Sequence, residues 1–68
     1  MDKEKVDIKD FTLVLPVLNE SQNLKRLLRE IRNILYLNDL NILVIDDNSD
    51  DKFESEKITK NYGAKYFL

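Results

Sequence analysis

Two short apolar runs, residues 11–17 and 42–45, constrain this chain more than any other feature. The first contains Phe11, Leu13, Val14, Leu15 and Val17; the second is Ile42-Leu43-Val44-Ile45. Their length and β-branched content identify strands, and nearly continuous apolar character predicts strands covered on both faces. Each run leads through a polar turn into a segment with helical spacing, and residues 64–68 open a third strand. The order strand–helix–strand–helix–strand predicts an α/β parallel sheet with right-handed crossovers. The expected strand order is 3-2-1, the first strand being interior in a complete domain. Leu68 falls within the apolar run Tyr66-Phe67-Leu68, so the expectation is an incomplete module: a polar leader over residues 1–9 and the opening part of a domain over residues 10–68.

The local signals are specific. Pro16 removes a ladder donor, so the first strand should end there or lie at an edge. Asn19 is a candidate helix cap with Gln22 at the capping-box position, Ser21 is a rival cap, and Glu20 adds negative charge to the first turn. The helix that follows is expected to reach Tyr36 or Leu37. Leu24, Leu27, Leu28, Ile31, Ile34 and Leu35 form its apolar stripe. Lys25, Arg26, Arg29 and Arg32 read as a solvated face; a phosphate-binding or acidic-membrane patch is the sharper alternative. A second helix should start within residues 48–51 and reach residues 60–61, with Phe53 and Ile58 inward and Tyr62 following. Gly63 stops it through a left-handed backbone. Tyr62, Tyr66 and Phe67 read as packing residues rather than a base-stacking surface.

Composition excludes several chemistries. The chain has 68 residues with neither cysteine nor histidine. Disulfides, thiolate chemistry, Cys/His zinc sites and histidine acid–base catalysis are therefore outside its repertoire. Eleven basic against 13 acidic residues leave a net charge of −2, which disfavours nucleic acid as a partner. No apolar run approaches the roughly 20 residues of a transmembrane segment, and the mixed-charge start leads into no signal-peptide core. There is no G-x-G-x-x-G fingerprint and no Walker A loop.

In an open parallel sheet, ligands meet the carboxyl ends of the strands. Glu20 and Asp46 should approach that rim together if the first two strands are neighbours. The Asp46-Asp47 pair admits two readings. Its carboxylates can accept base or ribose donors, or hold a hard cation. Alternatively, Asp46, Asp47, Asp50 and Asp51 simply cap and enrich a helix start.

Three ordered segments resemble the amino-terminal part of family 2 glycosyltransferases, especially the dolichyl-phosphate or polyprenyl-phosphate sugar transferases. They are Phe11-Thr12-Leu13-Val14-Leu15-Pro16-Val17-Leu18-Asn19-Glu20, then Ile42-Leu43-Val44-Ile45-Asp46-Asp47-Asn48-Ser49-Asp50-Asp51, and Asn61-Tyr62-Gly63-Ala64-Lys65. The resemblance implies a partial GT-A, Rossmann-like parallel sheet. It also implies a nucleotide-diphospho-sugar site with Pro16, Leu18 and Glu20 near base and ribose, Asp46 on the base, and Asp47 supporting the loop near the phosphates. Ser49 matches a loop hydroxyl that caps the next helix, and Asn48 stands where the family often has glycine. The departures are Lys52 and Phe53, where a glycine-threonine pair is common.

A complete relative would use Mg2+ or Mn2+ and transfer the sugar to an acceptor such as a lipid phosphate. The family's metal-binding Asp-x-Asp and acceptor-side residues have no counterpart here. The expectation is therefore a cytoplasmic nucleotide-sugar-binding segment, inactive alone. A complementary glycosyltransferase chain would restore the crevice, and the assembly would sit at the cytosolic membrane surface. The alternatives are a small non-enzymatic protein-interaction module or a remnant without function.

Overall fold

The computed structural model describes residues 7–34 and 37–68. A short 3-10 turn, Ile8–Asp10, precedes strand β1 (Thr12–Val17), helix α1 (Ser21–Asn33), strand β2 (Asn41–Asp46), helix α2 (Lys52–Asn61) and strand β3 (Lys65–Phe67). The three strands form one parallel sheet in the order β1-β2-β3, the expected α/β arrangement. Thr12 pairs with Asn41 and Val17 with Asp46, so β1 and β2 end level with one another. Residues 1–6 of the expected leader lie outside the described residues. Within residues 7–10, Asp7 accepts a hydrogen bond from the Lys9 N–H (3.0 Å), and the Lys9 carbonyl accepts one from the Asn41 side chain (2.9 Å).

Both helices pack on the sheet face that carries Ile42 and Val44. Leu24, Leu28 and Ile31 of α1 are buried against them together with Leu40 and Ala64. The register puts Leu13, Leu15 and Val17 of β1 on that same face. The opposite face is uncovered among the described residues: Val14 is 49% exposed, Ile45 41% and Phe67 57%. The expectation of strands covered on both faces is corrected accordingly. The apolar residues for a second cover are present in the strands, while both helices of this chain lie on one side. Pro16 sits inside β1, tolerated because β1 is an edge of this sheet.

The helices depart from expectation in instructive ways. The described helix α1 ends at Asn33; Ile34 is already extended, and its N–H bonds to the Ile31 carbonyl. Leu37 lies outside the helix, and Leu35 and Tyr36 lie outside the described residues. Leu27 and Ile34 of the expected stripe are exposed. On α2 the inward face is not led by Phe53, which is 78% exposed, but by Ser55 and Thr59, both fully buried, with Ile58 and Tyr62 partly buried beside the core.

Gly63 ends α2 as expected. Its φ is +71°, its N–H reaches the Lys60 carbonyl (3.1 Å) and the Ala64 N–H reaches Thr59 (3.0 Å). These are the paired bonds of a Schellman cap. Arg32 ties the amino-terminal end of the sheet together. Its guanidinium donates to the backbone carbonyls of Tyr62 (2.9 Å), Leu37 (3.4 Å), Asn38 (3.0 Å), Leu40 (2.7 Å) and Gly63 (3.3 Å). Arg32 is therefore not part of the solvated basic face formed by Lys25, Arg26 and Arg29.

Candidate functional site

The carboxyl ends of β1 and β2 open into two loops that are locked to each other. Asn19 and Asn48 both take left-handed backbones, φ +53° and +58°, a conformation asparagine tolerates better than most residues. The Asp47 N–H donates to the Val17 carbonyl (3.0 Å), carrying the strand pairing one step into the loops. The Asn19 N–H donates to the Ser49 hydroxyl (2.7 Å), and the Asn19 side-chain oxygen accepts from the Asp50 N–H (2.7 Å). Asp51 accepts from the Ser21 N–H (3.1 Å), the first residue of α1.

The capping expectations change with this geometry. Neither Asn19 nor Ser21 caps α1 with its side chain; Glu20 holds the cap position without a side-chain bond, and the acceptor comes from Asp51 across the rim. Ser49 does not cap α2 either. Its hydroxyl and N–H both donate to Asp46 Oδ1, the latter at 2.9 Å. A left-handed Asn19 turns its side chain toward the neighbouring loop instead of its own helix, which is why sequence spacing misassigned it. Asn48 does tolerate the left-handed turn, and its side chain accepts from the Lys52 ammonium (3.1 Å).

Asp46 lies behind the rim, 2% exposed. Its Oδ1 is held by Ser49 and its Oδ2 accepts from the Tyr66 hydroxyl (2.6 Å). Burial alone would push its pKa up. The Ser49 hydroxyl, the Tyr66 phenol, the Ser49 amide and the charge of Lys52 outweigh burial and hold it below the usual aspartate value. These donors favour the ionised carboxylate by supplying the bonds that water would otherwise make. The Tyr66 phenol is shifted the other way, well above its ordinary value, by burial, by donation to Asp46, and by the negative charges of Asp46, Glu56 and Asp51.

Pro16, Leu18, Glu20 and Asp47 come together. With Val17 they line an open hollow of about 460 Å³ at the carboxyl edge of the sheet. Of the five expected site residues, Asp46 is the one set apart from this surface. A hollow of similar volume lies at the other edge, around Arg32, Asn38, Asp39 and Gly63. There the Arg32 guanidinium is already taken up by carbonyls, so little recognition chemistry remains. Among the described residues no three acidic side chains converge to hold a metal ion.

Sequence reasoning missed Tyr66 and Asp51 as parts of the rim. Tyr66 read as packing, and its ring does meet the core; only the register of β3 beside β2 brings its hydroxyl to Asp46. Asp51 was legible as a helix-start acid, but the helix it caps lies 30 residues earlier. Among the described residues, no helix is long and apolar enough to cross a membrane.

One comparison with known proteins bears on this architecture. No curated protein and no solved structure matched the chain. The family model described as glycosyl transferase family 2 matches residues 12–67, from the first residue of β1 to the last of β3. With the parallel sheet and the acidic rim at its carboxyl edge, that match identifies the chain as a member of glycosyl transferase family 2.

Proposed function

We propose that the hollow lined by Pro16, Leu18, Glu20 and Asp47 receives a nucleotide-diphospho-sugar. The observation that supports this most is the joining of the two strand-end loops, which holds Glu20 and Asp47 on one surface at the ligand-binding edge of a parallel sheet. Both carboxylates accept hydrogen bonds and suit the donors of a base or ribose, while Pro16 and Leu18 supply apolar contact. Asp46 serves the same site from behind, by holding the loop that presents Asp47. The test is titration of the 68-residue chain with uridine diphosphate glucose and guanosine diphosphate mannose, followed by backbone amide NMR. Saturable shifts centred on residues 16–20 and 46–48, weakened about five- to tenfold by Glu20→Ala or Asp47→Ala, are expected. Shifts centred on Arg32 and Gly63, or no shifts with either probe, would remove the proposal.

The finer reading is that these residues bind without catalysing transfer. Turnover onto an acceptor such as a polyprenyl phosphate would then require a complementary chain, with the assembly at the cytosolic membrane surface. Motif resemblance supports this, and reconstitution tests it: sugar transfer to polyprenyl phosphate should appear only when both chains are present. Transfer by the 68-residue chain alone would overturn it.

One observation favours a non-enzymatic interaction module, namely the uncovered sheet face bearing Val14, Ile45 and Phe67. Tight partner binding that is unchanged by nucleotide sugar and by Asp47→Ala would select that reading.

A further inference from the structure

Tyr66, on β3, stands at one end of a continuous run of hydrogen bonds that crosses all three strands. Its hydroxyl donates to Asp46 Oδ2 at the end of β2 (2.6 Å). Asp46 Oδ1 accepts from the Ser49 hydroxyl and from the Ser49 N–H (2.9 Å). The same Ser49 oxygen accepts from the Asn19 N–H beyond β1 (2.7 Å), and the Asn19 side chain accepts from the Asp50 N–H (2.7 Å). The donors are consistently ordered. Because Asn19 donates to it, the Ser49 oxygen is free to send its own proton to Asp46, and the phenol fills the other carboxylate oxygen. Asp46 and Ser49 are buried, at 2% and 1% exposure, so water cannot substitute readily at these two central members.

We propose that Tyr66 is a positioning residue of the rim: through Asp46 and Ser49 its hydroxyl sets the placement of Asn19, and with it the two acidic residues that follow Asn19 and Asp46 in sequence, Glu20 and Asp47. The inference rests on the nucleotide-sugar reading for its functional consequence, but its structural content stands apart from any ligand. The argument is geometric. Glu20 and Asp47 have no common element; each hangs from the end of a different strand. Beyond the last paired residues, Val17 and Asp46, four links set their relative position: the Asp47–Val17 backbone bond, the Asn19–Asp50 and Ser21–Asp51 bonds, and the Asn19–Ser49–Asp46 links. The last alone runs through a buried carboxylate. Asp46 can hold Ser49 in one place only while its own carboxylate is fixed. A phenol on the outer strand, half-buried against the core, supplies that fixation. A loose Asp46 would let the Ser49 loop shift, and the spacing of Glu20 from Asp47 would shift with it.

The test uses the full chain and its Tyr66→Phe variant, which removes one oxygen and leaves the ring. Amide spectra of the free proteins are compared first. The expected result is a folded variant in which the Ser49, Asn19, Glu20 and Asp47 amides move, while those of Leu24 and Leu28 in the middle of α1 do not. Binding of uridine diphosphate glucose and guanosine diphosphate mannose is measured next, and the variant should bind about three- to tenfold more weakly. In the Tyr66→Phe/Ser49→Ala double variant the loss should not exceed that of Ser49→Ala alone, because both changes break one relay. If Tyr66→Phe does not fold, incorporation of 3-fluorotyrosine leaves every side chain in place and strengthens the phenol as a donor; the Ser49 and Asn19 amides should then shift.

Perturbation confined to Asp46 and the ring's neighbours, or additive losses in the double variant, would overturn the relay. A native chain that binds neither probe while Tyr66→Phe still displaces the Asn19 and Glu20 amides would remove the nucleotide reading and uphold the positioning role.

Discussion

Asp51 accepts a hydrogen bond from the backbone N–H of Ser21, at 3.1 Å and a separation of 30 residues, so the residue at the N-cap position of α2 caps the start of α1. The two helices are thereby joined at the edge where Glu20 and Asp47 emerge. Asp51→Ala should remove this cap and lower stability by about 1–2 kcal/mol, the range for losing a helix-capping acceptor. Asp51→Asn keeps an acceptor and should stay within about 0.5 kcal/mol of the native chain. Urea unfolding of the three proteins measures both effects, and equal losses in the two variants would show that charge rather than the acceptor matters.

Asn19 combines a left-handed backbone with a side-chain acceptor for Asp50. Asn19→Gly loses the acceptor but keeps the backbone unstrained. Asn19→Ala loses the acceptor and adds about 1 kcal/mol of strain. The expected order of stability is native, then glycine, then alanine. An alanine variant at least as stable as the glycine variant would contradict the left-handed assignment.

Arg32 joins the end of α1, the approach to β2 and the α2–β3 turn through five carbonyls. Arg32→Lys preserves the charge but not the planar fork that spreads donors over several acceptors. Both Arg32→Lys and Arg32→Ala should therefore lose about 2–3 kcal/mol, enough to populate the unfolded state in a chain of this size. Retention of native stability by the lysine variant, read by chemical denaturation, would mean that charge alone suffices.

Gly63 offers a cleaner case. A Cβ there would meet only the Arg32 guanidinium at 4.0 Å, an ordinary contact. The expected penalty of Gly63→Ala is therefore the strain of φ +71°, about 1 kcal/mol, and no more. A loss several times larger in thermal unfolding would point to a steric role.

The Asp46–Tyr66 pair predicts a stability plateau bounded on both sides. The carboxyl of Asp46 is depressed in the folded chain, so its contribution is complete above the unfolded aspartate pKa of about 3.9 and disappears as pH falls through the folded value. Tyr66 is raised: folding favours the neutral phenol, and its contribution is present below about pH 10 and is lost progressively at higher pH. In Tyr66→Phe the alkaline limb should flatten and the acid limb should become shallower, because the folded Asp46 pKa moves toward the ordinary aspartate value that sets where the limb begins. Unfolding midpoints measured across pH for both proteins check the two limbs, and identical profiles would refute the coupling.

Much of the fold was legible because it depends on neighbours in sequence. The apolar runs specified β1 and β2, the Leu24–Leu28–Ile31 spacing specified the buried stripe of α1, and Gly63 marked the end of α2. The strand-end edge was legible from the parallel order, but the pairing on it was not: the sequence put Glu20 with Asp46, whereas Asp46 is buried behind the rim and Glu20 shares the hollow with Asp47. Periodicity did not decide which flanking residues faced inward. Phe53 is more apolar than Ser55 or Thr59, yet it is exposed while both small side chains are fully buried.

The sequence by itself thus determined the elements, their order and the residue types available at the rim, all consequences of local conformational preference and apolar patterning. Tertiary structure alone decided the partners. Asn19 bonds across to Ser49 and Asp50, Asp51 caps a distant helix, Arg32 gathers carbonyls from two turns, and Tyr66 reaches Asp46. Hydrogen bonds are short-ranged and directional, so those pairings exist only once the parallel register has brought separate segments within about 3 Å, and no spacing along the chain encodes that meeting.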